Sequence, residues 1–202
     1  MTLRTLRDLV ATKIDPTMTK VPSALIDKAI NLAQDFIAKQ TLCLRSVFET
    51  TTYAEQQVYN LADIGGIGKK RYIKILNVLF DSNRLKICES WELDRDNPGW
   101  RSAESGTPEY AVIFGHLLYL YPKPNSDNAG KTIQVEVIRL PDELVEDGDE
   151  TMIPAEYHEL LVDYAVKILT GSLVGDFYAR LQQAKRENAK HYKAPYRTVR
   201  IL

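Results

Sequence analysis

The 202-residue chain carries 26 Lys and Arg against 27 Asp and Glu, a formal net charge of −1, and 45% of it is apolar. That length and composition allow one substantial domain or two small ones, each with a buried core. The near-zero charge excludes a protein that holds nucleic acid by bulk attraction.

The cysteines, Cys43 and Cys88, fit no metal or redox spacing and read as two reduced thiols. No stretch reaches the roughly 20 apolar residues of a membrane span. The N-terminal residues Met1-Thr2-Leu3-Arg4 run into an amphipathic pattern rather than a signal peptide. The expectation is a protein made in a cytoplasm that stays there until it joins something.

In chain order, Leu3, Leu6, Leu9, Val10 and Ile14 recur at helical spacing, with Asp15-Pro16 as a stop. A second helix opens at Pro22, and its stripe runs Leu25, Ile26, Ala29, Ile30, Ala33, Phe36 and Ile37. Residues 42–59 are rich in Thr, Val, Phe and Tyr and read as strand-forming. Residues 71–80 predict a strand, Asp81-Ser82-Asn83 a turn, and residues 84–90 a returning strand. Residues 109–114 and 117–121 predict a tight hairpin around Gly115-His116. A loop follows over residues 122–127. Residues 132–140 alternate, with Ile133, Val135 and Val137 on one face and Thr132, Gln134 and Glu136 on the other. A long helix then begins near Pro154, where Tyr157, Leu160, Leu161, Tyr164, Ala165, Ile168 and Leu169 repeat at helical intervals. Gly171 and Gly175 break it or let another backbone approach. Residues 179–190 are helical but mostly polar, and the segment from Ala194 to Leu202 has no helical period.

The expected fold class is therefore α+β. Helices at residues 1–41 and 142–190 form a bundle, an antiparallel β-rich domain at 42–141 is inserted between them, and residues 191–202 form an extended arm. Charge is segregated along this order. Residues 142–163 hold many carboxylates and no Lys or Arg. Beyond Arg180 come Lys185, Arg186, Lys190, Lys193, Arg197 and Arg200 against Glu187 alone. One reading is two unlike faces that dock head-to-tail; the other is a solvated helix face and an acidic loop.

Candidate chemistry is sparse. In Gly65-Gly66-Ile67-Gly68-Lys69-Lys70 a phosphate-binding loop would need Gly at position 63, which is Asp63, and a hydroxyl residue where Lys70 stands. A helix-hairpin-helix DNA contact would need helices on both sides, where the flanks read as strands. The remaining reading is a loop tipped by Lys69, Lys70 and Arg71, a channel or partner contact. His116, His158 and His191 fall on three separate elements, which gives no metal site. Glu92, Asp94 and Asp96 miss the calcium-loop pattern and read as a polar turn after Trp91. No catalytic set, cofactor site or metal site is expected. Trp91 and Trp100 flank Asn97-Pro98-Gly99 and either pin that turn to a core, the favoured reading, or anchor an interface. Tyr192, Tyr196, Arg197 and Arg200, with Leu202 at the end, form a basic and aromatic tail that either frays or docks on a neighbour.

Taken together, Trp91-Glu92-Leu93-Asp94, Trp100, Gly106-Thr107-Pro108-Glu109-Tyr110, Leu120-Tyr121-Pro122-Lys123-Pro124, the strand ending at Pro141, and Ile153-Pro154-Ala155-Glu156-Tyr157 follow a recognisable order. The chain resembles the head-to-tail adaptor (connector or neck) proteins of tailed bacteriophages, in particular short-tailed ones, from Pro22 to about Gly175. The resemblance implies a structural virion protein, not an enzyme. It implies a homo-oligomeric ring, commonly a dodecamer of twelve copies, beneath the capsid portal. Such a ring extends the DNA channel used in ejection and offers a docking surface to tail or nozzle proteins. Packaged DNA passes through without specific binding. It also implies that the tail after Lys190 reaches along the portal. The Gly65 to Gly68 loop has no place in that family pattern. The alternatives are a head-completion stopper, a tail-terminator, or a DNA-binding protein that uses the loop at residues 65–71.

Overall fold

The computed structural model describes residues 1–14, 21–64, 72–172 and 175–191. The chain is α+β and divides into two compact units. One comprises Met1–Leu44 together with Leu140–Leu202, and the other is Arg45–Arg139.

The helical unit contains α1 (Leu3–Ile14), α2 (Ser23–Thr41), α4 (His158–Thr170) and α5 (Phe177–His191). Most of each stripe read from the sequence becomes buried, while Leu9, Leu25 and Ile168 of those stripes stay exposed. Leu3, Leu6 and Val10 of α1, Ile30, Ala33 and Ile37 of α2, and Leu161 and Ala165 of α4 are all fully enclosed. Burying each of the larger of these side chains contributes about 1.5–3 kcal/mol. Helices α2 and α4 pack on each other and both pack on α1 and α5. Three rings tie α4 to its neighbours: its Tyr164 stacks on Phe36 of α2 at 3.8 Å between centroids and on Phe177 of α5 at 5.6 Å.

The helix ends follow local chemistry. Helix α2 closes on Leu42, which adopts a left-handed φ of 55° and donates its N–H to Ala38 O. Helix α4 closes on Gly171 at φ 75°, whose N–H reaches Lys167 O at 2.8 Å. A residue without Cβ takes that conformation at no steric cost. Before α4, residues Ala155–Tyr157 form a single 3-10 turn, so the α-helix proper starts at His158 rather than near Pro154. Helix α5 starts at Phe177, two residues ahead of the expected polar helix. Its buried face is Phe177, Leu181 and Ala184.

The β unit holds two sheets. In the first the order is β1 (Arg45–Thr51), β8 (Thr132–Arg139), β3 (Tyr72–Phe80), β4 (Asn83–Arg84); in the second it is β2 (Val58–Asn60), β7 (Leu117–Tyr121), β6 (Tyr110–Phe114), β5 (Lys86–Cys88). Every ladder is antiparallel except β5–β6. Central strand β8 buries Ile133, Val135 and Val137 completely, the face that its alternation marked. These residues share a core with Val78 and Phe80 of the first sheet and with Ala111, Leu118 and Leu120 of the second. The β6–β7 hairpin turns through Gly115-His116 with Phe114 opposite Leu117, and Gly115 takes the positive φ such a turn requires.

Two expected strands are divided in the structure. Residues 42–59 separate into β1 and β2, which lie in different sheets. Residues 84–90 form no single strand. Leu85 N–H donates to Val78 O in the first sheet, and the next amide, Lys86 N–H, donates to Glu109 O beside the second. The chain thus changes sheets between consecutive residues. Beyond Cys88 it forms a helix, α3 (Ser90–Asp96), where a polar turn was expected. A capping box supports that helix: Glu89 accepts from the Glu92 backbone, while the Glu92 carboxylate accepts from Glu89 N–H at 3.1 Å.

Candidate assembly surfaces

In the helical unit three carboxylates of the acidic stretch, Asp147, Glu159 and Asp163, pair with the unit's own cations. Asp163, with 1% of its side chain exposed, accepts from Lys13 at 2.7 Å and also pairs with Arg180. Arg180 further meets Glu159 at 3.3 Å and Asp176 at 2.8 Å. Arg7 forks onto Asp27 at 2.8 and 3.0 Å and reaches Asp147 at 2.9 Å. These hydrogen bonds raise the Arg7 guanidinium still further above its ordinary range. The acidic and basic segments read as two outward faces therefore meet each other in part, inside one unit. What remains at the surface is narrower: Glu143, Glu146, Glu150 and Glu156 on one side, Arg186 and Lys190 on α5 on the other.

The acidic loop is braced rather than loose. Asp149 accepts from Val145 N–H at 2.7 Å and Glu146 N–H at 2.8 Å, which lowers its pKa below the ordinary carboxylate range. Asn31 of α2 donates to Leu144 O and accepts from Leu144 N–H, both at 2.9 Å. Leu3 N–H donates to Asp149 O, and Thr151 N–H to Met1 O. The loop holds Val145 outward, 69% exposed.

In the β unit the two tryptophans part company. Trp100 is buried against Tyr119 and Tyr121, edge-on at 5.9 and 6.1 Å, and its indole N–H donates to Asp94 at 2.9 Å. Arg101 lies over the Trp100 ring at 4.5 Å and pairs with Asp94 as well, holding that carboxylate below its usual pKa. Trp91 is 58% exposed, with Arg95 over its ring. Phe114, at the hairpin tip, is 68% exposed. Ser90, Trp100, Arg101, Val112, Phe114 and Tyr119 line a recess of about 180 Å³. That is below the roughly 300 Å³ at which small-molecule pockets begin.

The three carboxylates after Trp91 are each committed to protein partners: Glu92 to the helix cap, Asp94 to Trp100 and Arg101, and Asp96 to Arg95. Among the described residues no group of three or more His, Cys, Asp or Glu converges as a metal site would require. His158 meets Ile153 O at 2.8 Å. Both thiols are free, and burial pushes Cys88 up to about 11, the opposite of an activated nucleophile. Among the described residues no helix is long and apolar enough to cross a membrane.

The tail residues Tyr192, Tyr196, Arg197, Arg200 and Leu202 and the loop residues Lys69, Lys70 and Arg71 lie outside the described residues. What the sequence did not single out is strand β1. It forms one edge of its sheet and pairs with β8 over seven consecutive residues, Arg45↔Ile138 to Thr51↔Thr132, with no irregularity. Its strand-favouring composition was visible, but its position at an edge depends on partners some 80 residues away.

The sequence matches the SU10 adaptor protein family over residues 1–198. No curated protein matches it.

Proposed function

Since the chain belongs to the SU10 adaptor protein family, a family of phage structural adaptors, we propose that it forms the ring that joins the capsid portal to the tail and extends the DNA channel. Membership makes it a component of the virion that interacts with other head and tail proteins. The finer reading gives it about twelve copies around the channel, a helical bundle of residues 1–41 and 142–190, a β domain of 42–141 and an arm of 191–202, consistent with closed heterologous symmetry. The observation that carries it is the family match along nearly the whole chain.

Two physical features support the conduit. A net charge of −1 lets DNA pass without the salt-dependent grip that many Lys and Arg contacts would impose. Trp91, Phe114 and Val145 are exposed large apolar side chains, available to be covered by a neighbour on assembly. In this reading Tyr192, Tyr196, Arg197, Arg200 and Leu202 engage the portal or the adjacent copy, and the Lys69, Lys70 and Arg71 loop faces the channel or a tail protein. The role is structural, with no substrate turned over.

Electron microscopy of the purified protein, alone and with its portal, tests the proposal. Rings of about twelve copies seated on the portal are expected. A chain that stays monomeric with every capsid-vertex component, or that binds duplex DNA at moderate salt through Lys69, Lys70 and Arg71, overturns it.

A further inference from the structure

Of the four strands that end a sheet, three are blunt: β4 has two residues, β2 and β5 three each. Strand β1 has seven, in unbroken register. A long regular edge presents a row of unpaired amides and carbonyls, and proteins usually guard it with Pro, Lys, a bulge or a covering element. Strand β1, Arg45-Ser46-Val47-Phe48-Glu49-Thr50-Thr51, has no Pro, no Lys and no bulge, and its charged side chains are Arg45 at its start and Glu49. Among the described residues no strand pairs with it on the side away from β8. By contrast, β3 carries two register irregularities.

The direction of the backbone groups follows from one bond. Thr52 N–H donates to Lys131 O at 2.8 Å, toward β8. Alternation along an antiparallel strand then turns Thr50, Phe48 and Ser46 toward β8 and Val47, Glu49 and Thr51 outward. Thr132 O accepts from Asp81 N–H on the far side of β8, which is the parity this assignment demands. The same outward residues are the exposed ones, Val47 at 53%.

We propose that this edge receives the C-terminal segment, residues 196–202, of an adjacent copy as an added strand. This deepens the ring reading and rests on it. The segment Tyr196-Arg197-Thr198-Val199-Arg200-Ile201-Leu202 is seven residues long, as β1 is, and contains neither Gly nor Pro. Every residue brings an N–H, and Tyr, Thr, Val and Ile suit a pleated surface. Its only charges are Arg197 and Arg200. The exposed face of the edge carries Arg45 at its start and Glu49 further along, with Glu136 directly opposite Val47 on the next strand, so the acidic groups lie toward its middle. Edge and segment are two unlike patches on each copy, the condition for a heterologous contact that closes into a ring. Main-chain bonds supply the affinity, as in other cases of strand addition.

Amide hydrogen exchange on the full-length chain tests this, read at Val47, Glu49 and Thr51. The wild-type chain is measured unassembled at low concentration and assembled with its portal. The variants are Val199→Pro, which removes one donor from the segment, and Val47→Lys, which guards the edge. At least tenfold slower exchange at these three amides on wild-type assembly, abolished in Val199→Pro, is the expected result. Val47→Lys is expected to weaken assembly at least tenfold while its melting temperature stays within a few degrees. Rings that form with the three amides still exchanging freely overturn the strand addition and leave the ring standing. Protection already present at low concentration means pairing within one chain and overturns it too. Absence of any wild-type assembly removes the ring reading and this one with it.

Discussion

Lys13 of α1 and Asp163 of α4, 150 residues apart in sequence, meet at 2.7 Å with the carboxylate almost wholly enclosed. Arg180 of α5 takes the other carboxylate oxygen. One buried side chain thus joins three helices. Asp163→Ala leaves two cations facing a closed pocket. Both are partly exposed, at 35% and 27%, so the loss falls below the 3–5 kcal/mol of a fully buried pair, at about 2–3 kcal/mol. Lys13→Met keeps the Arg180 contact and costs less, about 1 kcal/mol. Urea denaturation of the three proteins checks the order.

Trp100 and Trp91 make a matched pair of probes. Trp100→Ala opens a cavity among Leu93, Val112 and Tyr119 and orphans the Asp94 contact, at a cost of about 3–5 kcal/mol. Trp91→Ala removes an exposed ring and changes stability by less than about 0.5 kcal/mol. Equal losses in thermal denaturation would contradict the placement of both.

Gly171 takes a φ of 75° with open space around it, so an added methyl group meets backbone strain and no neighbour. Gly171→Ala is expected to cost about 1–2 kcal/mol. Gly148→Ala, also in open space but without the positive φ, is expected to be neutral. Chemical denaturation of the two variants isolates the helix end.

Asp149 gives the molecule one defined acid sensitivity. Its two backbone hydrogen bonds depress its folded pKa below the value in the unfolded chain. The stabilisation it supplies is complete above the unfolded value of about 3.9 and disappears as pH falls through the lower folded value. The stability difference between wild type and Asp149→Asn is expected to be constant near neutrality and to shrink below pH of about 4. Denaturation midpoints measured from pH 7 to 3 show whether it does.

The proposal that residues 191–202 engage the portal or a neighbouring copy can be tested separately from folding. Arg197→Glu with Arg200→Glu, or truncation after Lys190, removes charge beyond the described fold. Either change is expected to reduce portal association at least tenfold while shifting the melting temperature by no more than a few degrees. Sedimentation and calorimetry on the same preparations make the comparison. A tail variant that joins the portal as well as the full chain does would remove the arm's role.

What could be read from the sequence was what one face of one element decides. Ile133, Val135 and Val137 were legible because a half-buried strand alternates. The α2 and α4 stripes were legible for the matching helical reason. Helix α3 was missed because Glu92, Asp94 and Asp96 resemble a turn, and because a helix of seven residues shows barely two periods. The spacing of Glu89 and Glu92 was the available signal. Helix α5 seemed polar because its buried face is only Phe177, Leu181 and Ala184 among charges. The pairing of Asp163 with Lys13 and Arg180, and the edge position of β1, depend on residues distant in sequence, and no local pattern encodes them. The segregated acidic and basic runs suggested two outward surfaces, yet long-range packing turned Asp147, Glu159 and Asp163 toward Arg7, Lys13 and Arg180.

The hand-over at Leu85 and Lys86 has a mechanical outcome. Two adjacent amides belong to two different sheets, one bound to Val78 and the next to Glu109. A displacement of one sheet loads the other through this peptide link as well as through the core the two sheets share. Force on the β unit is therefore shared at once across both layers, and a pulling experiment on it is expected to record one abrupt rupture rather than a staircase.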